Sequence, residues 1–391
     1  MKLIEGGICA VRGVKANGVK QGKNGLAIIT IDAKNIATAG VFTRNKVIAA
    51  PLTITQEALS KGELKAVIAN SGCANAFTGE KGLEDARWMA EILAKKLNCE
   101  PDEIGVASTG VIGRYLDKEW IEGHLDEVLN GLSRTEEASK ASARAIMTTD
   151  TFMKEVAVQL ENCARIGGIA KGSGMIAPNM GTMLVFLYTD AHLSKEKLNR
   201  CLKKAVDKSF NMVVVDGDTS TNDMALLTAT GYRECKEDFF QKGLDFVCTS
   251  LAKMIAKDGE GATKLVEARV KGAKSIEDAR LAAKAIVRSP LVKTAIFGKD
   301  PNWGRVVAAV GYSGADVEQD KISLKFSDDN NEVMLVDSGR IVEGKLGALK
   351  SIMESKEVII EVELGLGDCE ATAWGCDLTY DYVKINAMYT T

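Results

Sequence analysis

Strand-like runs and amphipathic helices alternate along the whole chain, which restricts it to folds in which sheets and helices cover one another in layers. From Gly82 to Asn98, residues Ala86, Met89, Ala90, Leu93 and Leu97 recur at helical spacing and mark one apolar face. Leu244, Val247, Cys248, Leu251 and Ile255 do the same in a second helix that ends near Gly259. A third starts at Ser275, with Asp278 three residues on as its capping partner, and stops before Pro290. Strands are expected at Lys65 to Ala69, Thr182 to Thr189, Asn211 to Val215, Leu265 to Val270 and Glu357 to Leu364. No repeat, low-complexity tract or long linker interrupts them. The 391 residues suffice for one large or two ordinary domains.

Several function classes are disfavoured by composition. The formal net charge is -3 with both signs interspersed, which argues against a nucleic-acid surface. Nine cysteines form no CxxC pair and no Cys/His cluster, so they read as reduced, mostly core residues of a cytoplasmic enzyme, and no metal site is expected. MKLIEGGICAVRG lacks a long apolar segment and no 18-residue apolar run occurs, so neither a secretion signal nor a membrane span is expected. The two histidines, His124 and His192, both read as surface residues. A Ser-His-Asp machine therefore has little material, and a catalytic base must come from elsewhere.

One place supplies it. In KGSGMIAPNMGTMLVFLYTD (Lys171 to Asp190) a small-residue loop runs straight into an apolar, strand-prone segment, with Thr182 at the join. On residue pattern alone this is ordinary strand chemistry. If the chain were cut between Gly181 and Thr182, however, the new α-amine could deprotonate the Thr182 hydroxyl and make it a nucleophile.

Other constellations are weighed in the same way. Gly172-x-Gly174-x-x-Ala177 mimics a dinucleotide fingerprint, but Pro178 and a strand follow it where a helix is required. Val106 to Gly113 is a strand end entering a turn, in which the Thr109 hydroxyl and Gly110 amide could point two donors at one oxyanion. Asp216 to Asp223 lacks the pattern of a calcium loop and reads as a hydrogen-bonded structural loop. Lys257 to Lys264 is a connecting loop in which Glu260, flanked by glycines, could meet a substrate ammonium. The last residues, DLTYDYVKINAMYTT, stay aromatic and apolar, so the tail is expected to be docked, with Tyr380, Tyr382, Val383, Ile385 and Tyr389 as anchors.

Taken in order, STGVIG at Ser108, MTTDT at Met147, KGSGMIAPNMGTML at Lys171, DGEGATK at Asp258, FGKDPNWGR at Phe297 and ATAWGCDLTYDYVKINAMYTT at the end resemble the ornithine acetyltransferase, or glutamate N-acetyltransferase, family of arginine biosynthesis. The resemblance implies a precursor that cuts itself before Thr182, giving an α chain of residues 1–181 and a β chain of residues 182–391 that stay together as a heterotetramer of two α and two β chains. It also implies a layered sandwich with β-sheets between helical layers, reminiscent of N-terminal nucleophile hydrolases but differently connected. Thr182 would take an acetyl group from N2-acetylornithine and pass it to glutamate, without cofactor or metal. Acetyl-CoA is the one candidate for a second acetyl donor, since the motifs are shared by members that use it and members that do not.

Residue by residue, the resemblance makes Thr182 the nucleophile and Thr109 and Gly110 the oxyanion donors. Thr148, Lys171, Glu260, Asn386 and Thr391 would hold the amino acid, with Thr149 the rival of Thr148. Two positions depart from the family: Gly181 stands where Ala is usual, so a less strained scissile bond and slower cleavage are expected, and Cys73 stands where Asn is common, in a segment read as structural. Two alternatives compete. One is a self-processing aminopeptidase or amidase with water as acceptor, and the other a binding protein that never cleaves.

Overall fold

The computed structural model of the protein describes residues 1–161, 164–177 and 183–388. Its architecture is an α/β sandwich. The strands Val14–Gln21, Asn24–Ile31, Ala66–Cys73 and Ile104–Val111 form a four-stranded sheet in that order, antiparallel except for the parallel last pair. Alternation along Asn24–Ile31 splits its side chains between two cores. Leu26 and Ile28 pack outward with Ile54, Met89, Leu93 and Leu125 of the helices Ala50–Lys61, Gly79–Leu97 and Lys118–Asn130. Ala27 and Ile29 pack inward against a second sheet.

That sheet has six strands, ordered Lys2–Ile4, Lys154–Gln159, Arg165–Lys171, Leu184–His192, Met224–Glu234 and Ala37–Phe42. Leu184–His192 is covered on both sides. Leu184, Phe186 and Tyr188 enter the core shared with the four-stranded sheet, while Val185 and Leu187 enter the core built with the helices Lys195–Lys208 and Glu237–Lys257. Burial of both faces explains why this strand reads as a nearly unbroken apolar run. Helix Glu237–Lys257 also packs on a third, seven-stranded sheet, whose central strands Cys369–Cys376, Leu265–Ala273 and Glu357–Glu363 are adjacent. Helix Ile276–Arg288 packs on two of those strands, Cys369–Cys376 and Leu265–Ala273. The layers therefore run helices, four-stranded sheet, six-stranded sheet, helices, seven-stranded sheet, helix.

The three expected helices are present as Gly79–Leu97, Glu237–Lys257 and Ile276–Arg288. Asn98 closes the first in the left-handed region, at φ 53. Ser275 caps the third by accepting from the Asp278 amide. Pro290 does more than end it, because it occupies the first position of a new helix, Pro290–Gly298. The strand expected over Asn211 to Val215 is shorter. Phe210–Met212 coils into a single 3-10 turn, and only Val213–Val214 pairs, with Trp374 and Gly375. The strand expected from Thr182 runs as Leu184–His192, and Thr182 itself lies outside the described residues. No helix among the described residues is long and apolar enough to cross a membrane.

Candidate active site

A cleft of about 340 Å³ opens where ends of the four- and six-stranded sheets meet the loop after helix Glu237–Lys257. Thr109, Gly110, Thr148, Lys171, Glu260 and Asn386 all line it. These residues come from five separated segments of the chain. Gly181, Thr182 and Thr391 lie outside the described residues, as does Tyr389.

Thr109 and Gly110 sit near the end of Ile104–Val111, in register with Ser71 and Gly72 of the parallel neighbour. Gly110 adopts φ +133, and a Cβ there would lie 2.4 Å from the Gly72 carbonyl carbon. Only glycine fits a backbone so placed. Asn222 ties the corner together, donating through Nδ2 to the carbonyls of Ala74 (2.6 Å) and Ser108 (2.9 Å). Cys73 is buried beside this corner, and its Sγ lies 3.1 Å from the Arg114 carbonyl, consistent with a structural role.

Lys171 ends the strand Arg165–Lys171 and is 8% exposed. Its Nζ donates to Thr109 Oγ1 at 3.2 Å, leaving the Thr109 proton free to point elsewhere. Burial lowers the Lys171 pKa, with Asp150 opposing that effect. Lys20 adds positive potential from the neighbouring hairpin: its Nζ donates to the Met147 carbonyl (2.6 Å) and Ser71 Oγ (2.7 Å). Burial and then the charge of Lys171 lower Lys20 to about 8. The cleft therefore favours a carboxylate on this wall.

On another wall of the cleft Glu260 accepts from Asn386 Nδ2 at 2.8 Å, and its own amide donates to the Ser173 carbonyl at 2.9 Å. A Cβ on Gly174 would collide with the Glu260 carboxyl at 2.3 Å, so that glycine makes room for the acid. Asn386 lies on the helix Tyr380–Met388. The helix is held at its start, where Thr379 Oγ1 donates to the Gly261 carbonyl (2.7 Å) and accepts from the Tyr382 amide (3.3 Å). The expected apolar anchoring is thinner than the sequence suggests: Tyr382 and Ile385 are half-buried, but Tyr380 and Val383 are exposed. Helical periodicity turns half of that apolar set outward.

Thr149 Oγ1 pairs with Ser173 Oγ at 2.7 Å. Thr148 and Thr149 both line the cleft, and the Thr148 hydroxyl makes no hydrogen bond among the described residues. The Asp216–Asp223 loop is hydrogen-bonded, as expected: Asp216 accepts from the amides of Met175 (2.6 Å) and Ile176 (2.8 Å). Asp223 behaves differently. It is 3% exposed, its carboxyl oxygens make no hydrogen bond among the described residues, and burial drives its pKa well above the usual range.

Asp150 and Lys154, which sequence reasoning passed over, underlie the cleft. Asp150 accepts from the amides of Thr148 (3.0 Å) and Gly172 (2.7 Å) and from Lys154 Nζ (2.7 Å). Lys154 also pairs with Asp258, which accepts from the Thr151 amide at 3.0 Å. Lys154 is in phase with Val156 and Val158 on its strand, both buried in the core, and a charge on that phase was the available signal.

His124 stacks on Trp120 and His192 pairs with Glu234, both away from the cleft. A larger groove of about 1120 Å³, bordered by Arg44, Arg280, Lys284 and Arg288, contains none of the predicted site residues. No group of three or more His, Cys, Asp or Glu side chains among the described residues is arranged to hold a metal ion.

Comparison with known proteins gives a consistent result. Residues 11–391 match the ArgJ family. The chain is 61% identical to the glutamate N-acetyltransferase of Methanosarcina mazei, covering 100% of both chains. It is 50% identical to the arginine biosynthesis bifunctional protein ArgJ of Archaeoglobus fulgidus, over 98% of this chain and 100% of that one. Among solved structures, the arginine biosynthesis bifunctional protein argJ of Bacillus halodurans aligns with a TM-score of 0.50 at 41% identity, over 52% of this chain and 98% of the solved chain.

Proposed function

Because this chain belongs to the ArgJ family, we propose that it is a glutamate N-acetyltransferase of arginine biosynthesis, moving an acetyl group from N2-acetylornithine to glutamate through an ester on Thr182. One observation carries the reading: six residues assigned separately from five motifs line a single cleft. The precursor is cut between Gly181 and Thr182, which frees the amine that serves as base. Two chains of 181 and 210 residues (391 − 181) result. The solved Bacillus halodurans chain matches about half of this one, a length that suits one such piece. That the pieces stay together is supported by the pairing of Leu184–His192, from the second, with Arg165–Lys171, from the first, inside a buried sheet. Assembly as two α and two β chains in the cytoplasm belongs to the same proposal.

In the first half-reaction the Thr182 oxygen attacks the acetyl carbonyl carbon while the α-amine takes the hydroxyl proton. The Thr109 hydroxyl and the Gly110 amide donate to the oxygen that becomes negative. As the tetrahedral centre collapses, the C–N bond breaks, the proton passes to the departing amine, and ornithine leaves. Glutamate then enters the same cleft, its amine attacks the ester, and N-acetylglutamate departs with Thr182 restored. Lys171 meets the α-carboxylate common to both amino acids, and Thr148 and Thr391 add polar contacts. Glu260, oriented by Asn386, takes the side-chain ammonium of the ornithine half. Every step balances with the chain's own groups, so no cofactor or metal is invoked.

The test is Thr182→Ala. Intact mass should show one uncut chain without transferase activity, and wild type given N2-acetylornithine alone should gain one acetyl mass on the 182–391 chain. Two normal fragments from the variant would overturn the reading.

A further inference from the structure

Lys171 is a difficult residue to keep charged. It is 8% exposed, and Lys154 and Lys20 bring further positive charge close to it. A buried ammonium surrounded by cations would lose its proton near neutral pH and with it the means to bind a carboxylate. The groups facing it are Asp150 and Lys154 from the segment before and at the start of Lys154–Gln159, Asp223 from the start of Met224–Glu234, Glu260 from the loop after Glu237–Lys257, and Lys20 from the hairpin strand Val14–Gln21.

Of the three acids, Asp150 alone combines charge with fixed geometry. Asp223 is driven toward its neutral form by burial, and the Glu260 carboxylate is engaged by Asn386 Nδ2. Asp150 is held ionised: burial works against its charge, but Lys171, Lys154 and the Gly172 amide outweigh that and bring its pKa down to about 2. Its hydrogen bonds also fix the main chain at Gly172, next to Lys171, and at Thr148. Lys154 anchors Asp150 at 2.7 Å and reaches Asp258 on the other side, two residues before Glu260.

We propose that Asp150, anchored by Lys154 and bonded to the Gly172 amide beside Lys171, is a positioning residue that holds Lys171 in place and supplies its counter-charge, and thereby sets the cleft's affinity for the α-carboxylate shared by acyl donor and acceptor. This rests on the reading above, in which Lys171 binds that carboxylate. Substrate binding should accordingly weaken as pH rises through the Lys171 titration, and removing the Asp150 charge should bring that weakening to lower pH.

The experiment measures KM and kcat for glutamate and N2-acetylornithine between pH 6 and 9 in wild type, Asp150→Asn and Lys171→Met. For Asp150→Asn the rise of KM with pH should move down by on the order of one pH unit, so that KM exceeds the wild-type value by up to about tenfold on the alkaline side of the titration, with a smaller change in kcat. Lys171→Met should show a high, pH-independent KM. If Lys171→Met leaves KM unchanged, Lys171 does not bind the carboxylate and the underlying reading fails. If Lys171→Met raises KM but Asp150→Asn keeps the wild-type pH profile and only lowers kcat or thermal stability, Asp150 is structural and this inference alone fails. Should Asp150→Asn not fold, competitive acetic anhydride labelling of Lys171 in the wild-type enzyme decides. Resistance at pH 7 supports the inference, and full reactivity at pH 6 overturns it.

Discussion

Two walls of the cleft are built in opposite ways. Thr109 and Gly110 stand on a strand whose residues Ile104 to Thr109 are buried, in register with a parallel neighbour and locked by a glycine that no other residue could replace. Asn386 stands on a nine-residue helix without a fully buried residue, held at its start by Thr379. The difference suits the roles proposed for these residues. An oxyanion donor acts only if it is already in place when charge develops, so it belongs on rigid backbone. A group that orients a binding carboxylate tolerates more freedom, because its error is repaid in affinity, not in rate.

The largest effect should come from the rigid wall. Thr109→Ala removes one donor while leaving the strand and Gly110 in place, so kcat should fall by about 10²- to 10³-fold with little change in KM. Steady-state kinetics showing only a raised KM would reassign Thr109 to binding and erase the contrast. Next is Asn386→Ala, which leaves Glu260 without its 2.8 Å donor. A hydrogen bond to a charged group is worth about 1.5–3 kcal/mol when buried, and less at this half-open position, so KM for N2-acetylornithine should rise by about tenfold while kcat holds. A comparable fall in kcat would mean that the Asn386 wall also shapes the transition state.

Sequence reading reached the architecture where periodicity was strong. Gly79–Leu97 and Glu237–Lys257 present clean apolar faces, and the strand at Leu184–His192 announces itself as an apolar run. It did less well where tertiary packing overrides local pattern. Asn211 to Val215 looks β-prone, yet burial of Phe210 and Met212 is achieved by a single tight turn. The ligand-facing side chains of the cleft stand in motifs and could be assigned from resemblance. The charge network beneath them was not legible: Asp150 and Asp258 also stand in motifs, but Lys154, which joins them, does not, and its pairing with Asp258 across 104 residues is made by the fold alone. The tail is the instructive miss: five aromatic and apolar residues suggested firm anchoring, but two of them, Tyr380 and Val383, point to solvent.

That miss supplies the smallest and most discriminating test. Tyr380 is 77% exposed and touches Phe297 only edge-on, with ring centroids 5.7 Å apart. If the terminal helix were held by its aromatic residues, Tyr380→Ala would loosen it and displace Asn386. If it is held by the Thr379 hydroxyl against the Gly261 carbonyl, the ring contributes little, because an exposed aromatic pair is worth about 0.5 kcal/mol at most. KM for both substrates should then stay within about twofold of wild type, since 0.5 kcal/mol corresponds to little more than a factor of two in an equilibrium constant. A KM increase matching that of Asn386→Ala would show that the aromatic contact sets the helix position. The Asn386 wall of the cleft would then be tied to Phe297, which opens the FGKDPNWGR motif, and not to the loop that carries Glu260.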